Sequence, residues 1–141
     1  MSSTNAIGSS PNAPSARRGR IGERALTALR VLLAIQFAVG GLMKLGGAQP
    51  MVTLFADVGA GQWLRYVVGV LELAGAIGLL IPALVGAAAA GLSALMTGAL
   101  IIRAAVLGGS PVLEVLFLVA VAAIAYHRRA QLRLLAARLL R

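Results

Sequence analysis

Hydrophobic and polar positions divide the chain into long apolar runs separated by short polar stretches. The first run extends over about residues 26–45, and three more follow at about 64–82, 84–103 and 111–127. Because a helix rises 1.5 Å per residue, about 20 apolar residues cross the hydrocarbon core of a bilayer. The pattern predicts an all-α fold, a transmembrane four-helix bundle whose last span is short.

A different periodicity marks the connection between the first two spans. Between Pro50 and Gly59, apolar residues recur at the i, i+3, i+4 and i+7 spacing of a short amphipathic helix. These residues are Met51, Leu54, Phe55 and Val58. We expect this helix to lie in the outer membrane interface, with Trp63 and Tyr66 at headgroup depth. The alternative is a lid over the outer end of the bundle.

The two ends of the chain differ from the apolar middle, residues 25–127. Residues 1–24 combine small polar residues with arginines and predict a disordered, basic, cytoplasmic tail. Arginines before an apolar run also resemble a secretory signal, but this run is too long and lacks a small-residue cleavage site, which indicates a retained signal anchor. Residues 128–141 predict a basic amphipathic helix on the inner leaflet, with docking to a protein as the alternative.

Small residues at a spacing of four indicate how the spans could pack. In lipid, helices associate by close backbone approach, which pairs of small residues permit. Three such pairs are Ala74 with Gly78, Ala87 with Gly91, and Ala94 with Gly98. Chance pairing in a chain rich in alanine and glycine is the alternative explanation.

Composition narrows the class of protein further. Hydrophobic residues make up 60% of the 141 residues and charged residues 12%, about half of the charged fraction usual in soluble domains. Absence of cysteine excludes disulfides, thiolate metal sites and Fe–S ligation within this chain. The single histidine, His127, excludes a multi-histidine metal or haem site within one copy.

The net charge of +9 would suggest nucleic acid as the partner of a soluble protein, but its distribution argues against that here. Ten of the 13 basic residues border the two ends of the apolar region. Such clusters orient membrane proteins and place both termini in the cytoplasm. Those expected to contact anionic lipid headgroups are Arg17, Arg18, Arg20, Arg128 and Arg129.

Glu72 lies within an apolar run, roughly 12 Å below the predicted outer boundary at 1.5 Å per residue. Ionisable groups at such depth are rare and often functional. Lys44, near the end of the preceding span, is close enough in the predicted topology to be its partner. Two interpretations remain open: the pair fixes the register of two helices, or it forms a polar site that binds a headgroup, a quinone or a proton.

Arg103 and Glu114 flank the outer turn between the third and fourth spans. Ser110 is predicted to be the N-cap and Pro111 the first helical residue, which places Glu114 near the positive end of its helix. A salt bridge between the two is one expectation, and separate interfacial side chains are the other. Lys44, Glu72, Arg103 and Glu114 all fall at the midplane or outside it, so we expect any binding cavity there.

The order of several short motifs resembles the DoxX and DoxX-like membrane proteins. These are Arg30 in span one, Gly41-Leu-Met-Lys44, Gly69-Val-Leu-Glu72-Leu-Ala-Gly75, Leu79-Leu-Ile-Pro82 and Met96 in span three. The resemblance covers about residues 26–127 and implies a four-helix bundle in the bacterial inner membrane. It also implies family-like polar positions at Arg30, Lys44 and Glu72, and a link, in some relatives, to quinone-reducing or redox-protective complexes.

Three functions are compatible with these features. The first is a non-catalytic membrane subunit that binds a quinone-like or lipid ligand, or anchors a redox partner. The second is a structural or scaffolding membrane protein, and the third is a small proton-coupled transporter, which the lack of broken helices disfavours. Catalysis by this chain alone has the least support, and a bound quinone is the one cofactor that we consider.

Overall fold

The computed structural model describes the backbone of residues 13–140 and the side chains of residues 19–140, and the regular structure in that part of the chain is helical. The helices are α1 (Ala13–Leu45), α2 (Gln49–Val58), α3 (Gln62–Leu80), α4 (Val85–Ile102), α5 (Val112–His127) and α6 (Arg129–Leu139). A π-helical turn, Arg103–Leu107, continues α4.

Three helical segments are long and apolar enough to cross a membrane: Gly19–Leu45, Gln62–Leu80 and Val85–Leu107. The fourth apolar helix, α5, has 16 residues and is therefore about 24 Å long. It is shorter than the roughly 30 Å hydrocarbon core, as the sequence pattern predicts. The chain turns at Arg128, so α5 and α6 are two separate helices.

The start of α1 differs from the sequence prediction. Residues 13–24, which the sequence predicts to be disordered, are helical and continuous with the first span. Alanine, arginine, leucine and glutamate all favour helix, and Pro14 stands in the first turn, where its missing N–H costs nothing. The prediction of disorder, which was based on polar composition, is therefore wrong for residues 13–24. Residues 1–12 of the predicted tail lie outside the described residues.

The helices α1, α3, α4 and α5 pack side by side in that spatial order, with neighbours antiparallel, and we call this packed group the bundle. We call one end of the bundle the α2 end, because α2 connects α1 to α3 there. The opposite end is the α6 end, where α6 packs against the start of α4: a Cβ atom on Gly86 would lie 3.2 Å from Leu132 Cγ.

The hydrophobic core fills the half of the bundle toward the α6 end. It joins residues 33–37 of α1, 76–79 of α3, 85–96 of α4 and 121–124 of α5. Five large side chains in it are fully buried: Leu79, Val85, Leu92, Val121 and Ile124. The aromatic rings of Phe37 and Phe117, 5.9 Å apart, join α1 to α5 at the edge of this core.

Glycines set the closest helix approaches. A Cβ atom on Gly41 would lie 2.8 Å from the Gly69 carbonyl oxygen, so α1 and α3 touch backbone to backbone. On the other side of α3, a Cβ atom on Gly78 would lie 2.7 Å from Ala88 Cβ. Of the three pairs predicted from spacing, only the one containing Gly78 therefore lies at such a contact; a Cβ atom on Gly91 or Gly98 would meet nothing within 4 Å.

We predict that Gly41→Ala destabilises the protein by about 1–3 kcal/mol, because the added methyl group forces two backbones apart. The measurement is reversible unfolding in mixed micelles followed by circular dichroism. Gly91→Ala is the matched control, since its added methyl group meets open space. Equal stability of the two variants would contradict a backbone contact between α1 and α3.

Candidate functional site

Lys44 and Glu72 form a salt bridge between α1 and α3. The Lys44 Nζ atom donates hydrogen bonds to Glu72 Oε1 at 3.0 Å and Oε2 at 2.8 Å. The carboxylate side chain is 5% exposed and the ammonium side chain 14%. Both carboxylate oxygens are thus paired, in a position where an isolated charge would be costly.

The helix geometry explains how two residues at different depths meet. Lys44 lies in the last turn of α1, whereas Glu72 is about 15 Å along α3 from its start. Side chains tilt toward the N-terminus of their own helix, so in an antiparallel pair these two tilt toward each other. Gly40 leaves room for the contact, because a Cβ atom there would lie 3.3 Å from Glu72 Oε2.

A second ion pair joins the end of α4 to the start of α5. Arg103 donates a hydrogen bond from Nε to Glu114 Oε1. Arg103 begins the π-helical turn, which closes when the Gly108 amide donates to the Arg103 carbonyl at 2.8 Å. Such turns are rare and are frequently found at functional sites. Glu114 lies in the first turn of α5, as predicted, although Pro111 and not Ser110 is the N-cap and the helix begins at Val112.

Both ion pairs line one cavity of about 530 Å³ in the half of the bundle toward the α2 end. Its other walls are mostly apolar, and its volume is in the range of small-molecule sites. The predicted apolar face of α2 covers the cavity: Met51, Leu54, Phe55 and Val58 all line it. Since Phe55 is buried, the apolar face of α2 packs against the other helices, as in the lid arrangement that the sequence left as an alternative.

Arg65 is buried and anchors the α2 end, a role that the sequence did not suggest. Its guanidinium donates from Nη1 to the Lys44 carbonyl oxygen and from Nε to Gln62 Oε1 at 2.8 Å. Gln62 in turn donates to the Val52 carbonyl oxygen of α2 at 3.1 Å. This chain of hydrogen bonds holds the lid helix against α1 and α3.

Arg30 of α1 likewise donates hydrogen bonds to the end of a neighbouring helix, here at the α6 end of the bundle. Its Nε and Nη2 atoms donate to the Leu79 carbonyl oxygen at 3.0 and 2.8 Å. Leu79 lies in the last turn of α3, where carbonyls lack partners within the helix. Arg30 is therefore remote from the cavity, and the structure does not bring it together with the other predicted site residues.

A comparison with known protein families identifies a match over most of the chain. A family model described as the DoxX-like family matches residues 28–127. The chain belongs to the DoxX-like family. The resemblance predicted from the short motifs is thereby confirmed, and the matched region contains all five predicted polar positions. No curated protein and no solved structure matches the chain.

The sequence prediction for this DoxX-like protein found four cavity residues and missed others. Lys44, Glu72, Arg103 and Glu114 were predicted, and all four line the cavity. Gln36 also lines it and is exposed within an otherwise apolar stretch of α1. Its polar side chain inside a predicted span was the signal that could have identified it.

We predict that Lys44→Met destabilises the protein by about 3–5 kcal/mol, because it leaves the Glu72 carboxylate without its partner. The double variant Lys44→Met with Glu72→Met is expected to regain most of that loss, since neither charge then remains buried. Unfolding in mixed micelles measures both. A double variant no more stable than Lys44→Met would contradict a salt bridge whose main partners are each other.

Proposed function

We propose that this DoxX-like protein is a non-catalytic, four-span membrane protein that binds an amphiphilic molecule, quinone-like or lipid, in the cavity under α2. The observation that carries the proposal is the cavity itself. About 530 Å³ of mostly apolar space contains two ion pairs at one end of a bundle whose other half is tightly packed. Apolar walls with a few convergent polar groups are typical of small-molecule sites.

The position of the cavity favours a molecule that enters from the lipid. Val39 and Met43 of α1 and Leu113 of α5 line the cavity and are also exposed. The cavity therefore opens on the side of the bundle between α1 and α5. In a membrane this opening would face acyl chains, which suits a ligand with an apolar tail.

The proposed placement is the bacterial inner membrane, with the α2 end outside and both termini in the cytoplasm, on the basis of the arginine distribution. Arg20, Arg128 and Arg129 then lie at the inner leaflet, where they meet anionic headgroups. Arg129 stacks over the Tyr126 ring at 4.3 Å, an arrangement compatible with a membrane interface. The contacts of Arg17 and Arg18 fall outside the described side chains and remain predictions.

Labelling of single cysteines tests this topology, since the natural chain has none. We expect a membrane-impermeant maleimide to label Ser110→Cys in spheroplasts and to label Leu140→Cys only after the membrane is opened. Both positions are exposed. Labelling of both cysteines from the same side would show that α5 does not cross.

A cavity-filling substitution tests the binding site. Gly98 lines the cavity, and a Cβ atom there meets nothing within 4 Å, so Gly98→Leu is expected to fill the space without disturbing the backbone. We expect mass spectrometry of protein purified in nanodiscs to find a bound amphiphile in the natural protein and at least tenfold less in Gly98→Leu. Gly91→Leu, on the same helix but outside the cavity, is the matched control.

Natural protein that neither carries an amphiphile nor takes up an added one would contradict the proposal. In that case the scaffolding function becomes the better account, and one observation favours it specifically. Lys44 donates hydrogen bonds to both carboxylate oxygens of Glu72, as expected of a pair that only fixes the register of two helices. Anchoring of a redox partner stays a prediction from the family resemblance.

A further inference from the structure

We infer that the cavity binds the anionic head of a single-chain amphiphile, a carboxylate or a phosphate, and that Arg103 is the residue that holds it. The inference rests on the proposed binding function and specifies the ligand for it. It is carried by the hydrogen-bond donors that the two ion pairs leave unused beside the cavity.

The first step concerns the guanidinium of Arg103, which lines the cavity. A guanidinium carries five N–H groups, and within the described residues Arg103 uses only its Nε–H, on Glu114. The N–H groups on its two Nη atoms therefore have no acceptor in the described part of the chain. Neither Nη atom belongs to the buried atoms that lack a partner, so both keep open surface. Arg103 thus has accessible donors with which to bind an acceptor.

The second step concerns the acceptors of the two ion pairs. Both oxygens of Glu72 accept from Lys44, and Oε1 of Glu114 accepts from Arg103. The remaining oxygen, Glu114 Oε2, is buried and lies out of reach of a ligand in the cavity. Lys44, by contrast, carries three N–H groups and uses two of them among the described residues. The ion pairs therefore offer a ligand unused donors rather than unused acceptors.

The third step concerns charge. The formal charges of the two pairs cancel, but in each pair the cation is the more exposed partner. The side chain of Lys44 is 14% exposed against 5% for Glu72, and that of Arg103 is 26% exposed against 17% for Glu114. An anionic head would therefore meet the cations first. A cationic head would lose its hydration without an open carboxylate to replace it.

The shape of the guanidinium favours an anion over a neutral acceptor. Its two Nη groups form a planar fork that matches two oxygens of a carboxylate or a phosphate. A single carbonyl or ether oxygen fills only part of this fork, and hydrogen bonds between opposite charges are roughly twice as strong as neutral ones. The apolar walls of the cavity and its opening between α1 and α5 then accommodate the chain of the amphiphile.

The test compares dodecanoate, dodecyl phosphate, methyl dodecanoate and dodecylamine, which share one apolar tail and differ in the head. Binding to natural protein in phosphatidylcholine nanodiscs is measured by native mass spectrometry and by the shift in unfolding temperature. Mildly alkaline buffer keeps the carboxylate ionised, and empty nanodiscs correct for partition into lipid. We expect at least one anion to bind about tenfold or more tightly than the ester and the amine. The ratio of the two anions distinguishes a carboxylate site from a phosphate site.

Two variants supply the second measurement. Glu114→Gln removes the carboxylate that competes for Arg103, so we expect the preferred anion to bind about tenfold more tightly. Glu23→Gln, on α1 and outside the cavity, changes the net charge equally and should leave binding unchanged. Arg103→Gln combined with Glu114→Gln keeps the net charge and leaves neither partner unpaired, and it should abolish the advantage of the anions over the ester. Circular dichroism checks that the variants fold, and the ligand series with natural protein stands without them.

The outcomes separate the inference from the proposed function. Equal binding of all four probes, abolished by Gly98→Leu, would overturn the anion preference and keep the binding function. Preferential binding of the ester or the amine would overturn it in the same way. Anion binding that the double variant does not weaken would overturn the assignment to Arg103. Failure of all four probes to bind would overturn both the inference and the proposed function.

Discussion

The antiparallel contact of α1 with α3 is the constraint on which the rest of the structure depends. Each helix supplies an arginine to the last turn of the other: Arg65 of α3 donates to the Lys44 carbonyl, and Arg30 of α1 donates to the Leu79 carbonyl. Last-turn carbonyls lack partners within a helix and carry the negative end of its dipole. Two charged donors at opposite ends therefore fix the register. Between them, Gly41 and Gly69 bring the backbones into contact.

This register determines what happens to the ionisable groups between the two arginines. With Gly41 opposite Gly69, the side chains of Lys44 and Glu72 tilt toward each other and meet beside Gly40. A slip of one residue would turn one of the two charges out of this contact. The salt bridge and the backbone contact are thus compatible with the same alignment of α1 and α3. The arginines add donors that only this alignment satisfies.

The register also leaves the bundle unequally filled. Toward the α6 end, large side chains from α1, α3, α4 and α5 close the interior. Toward the α2 end, glycine and charged side chains occupy the facing positions, and the helices enclose a space that α2 covers. Gln62 holds α2 in place through its hydrogen bonds to Arg65 and to the Val52 carbonyl. A cavity beneath a tethered lid is therefore a consequence of the sequence pattern at one end of the spans.

Hydropathy and charge predicted the helices, the gathering of four ionisable side chains, and the periodicity of α2, because these depend on local pattern and topology. They did not predict the role of Arg65, since a charged residue at the start of a span has the same appearance whether it faces water or a neighbouring helix end. The position of α2 in the membrane interface was likewise expected from its apolar periodicity alone, which does not show what the apolar face packs against. An apolar face can be buried against lipid or against protein, and only the geometry of the cavity distinguishes the two.

The two ion pairs of the cavity differ in a way that separates their roles. Lys44 donates hydrogen bonds to both oxygens of Glu72, so neither oxygen of this carboxylate lacks a donor. The pair lies between two helices whose register is also fixed by other contacts. Arg103 engages one oxygen of Glu114 across a turn that a π-helical segment and two glycines of positive φ make irregular. Irregular backbone in a membrane is tolerated where protein or a cavity surrounds it. The first pair therefore has the properties of a structural contact, whereas the second joins two helices across an irregular turn beside the cavity.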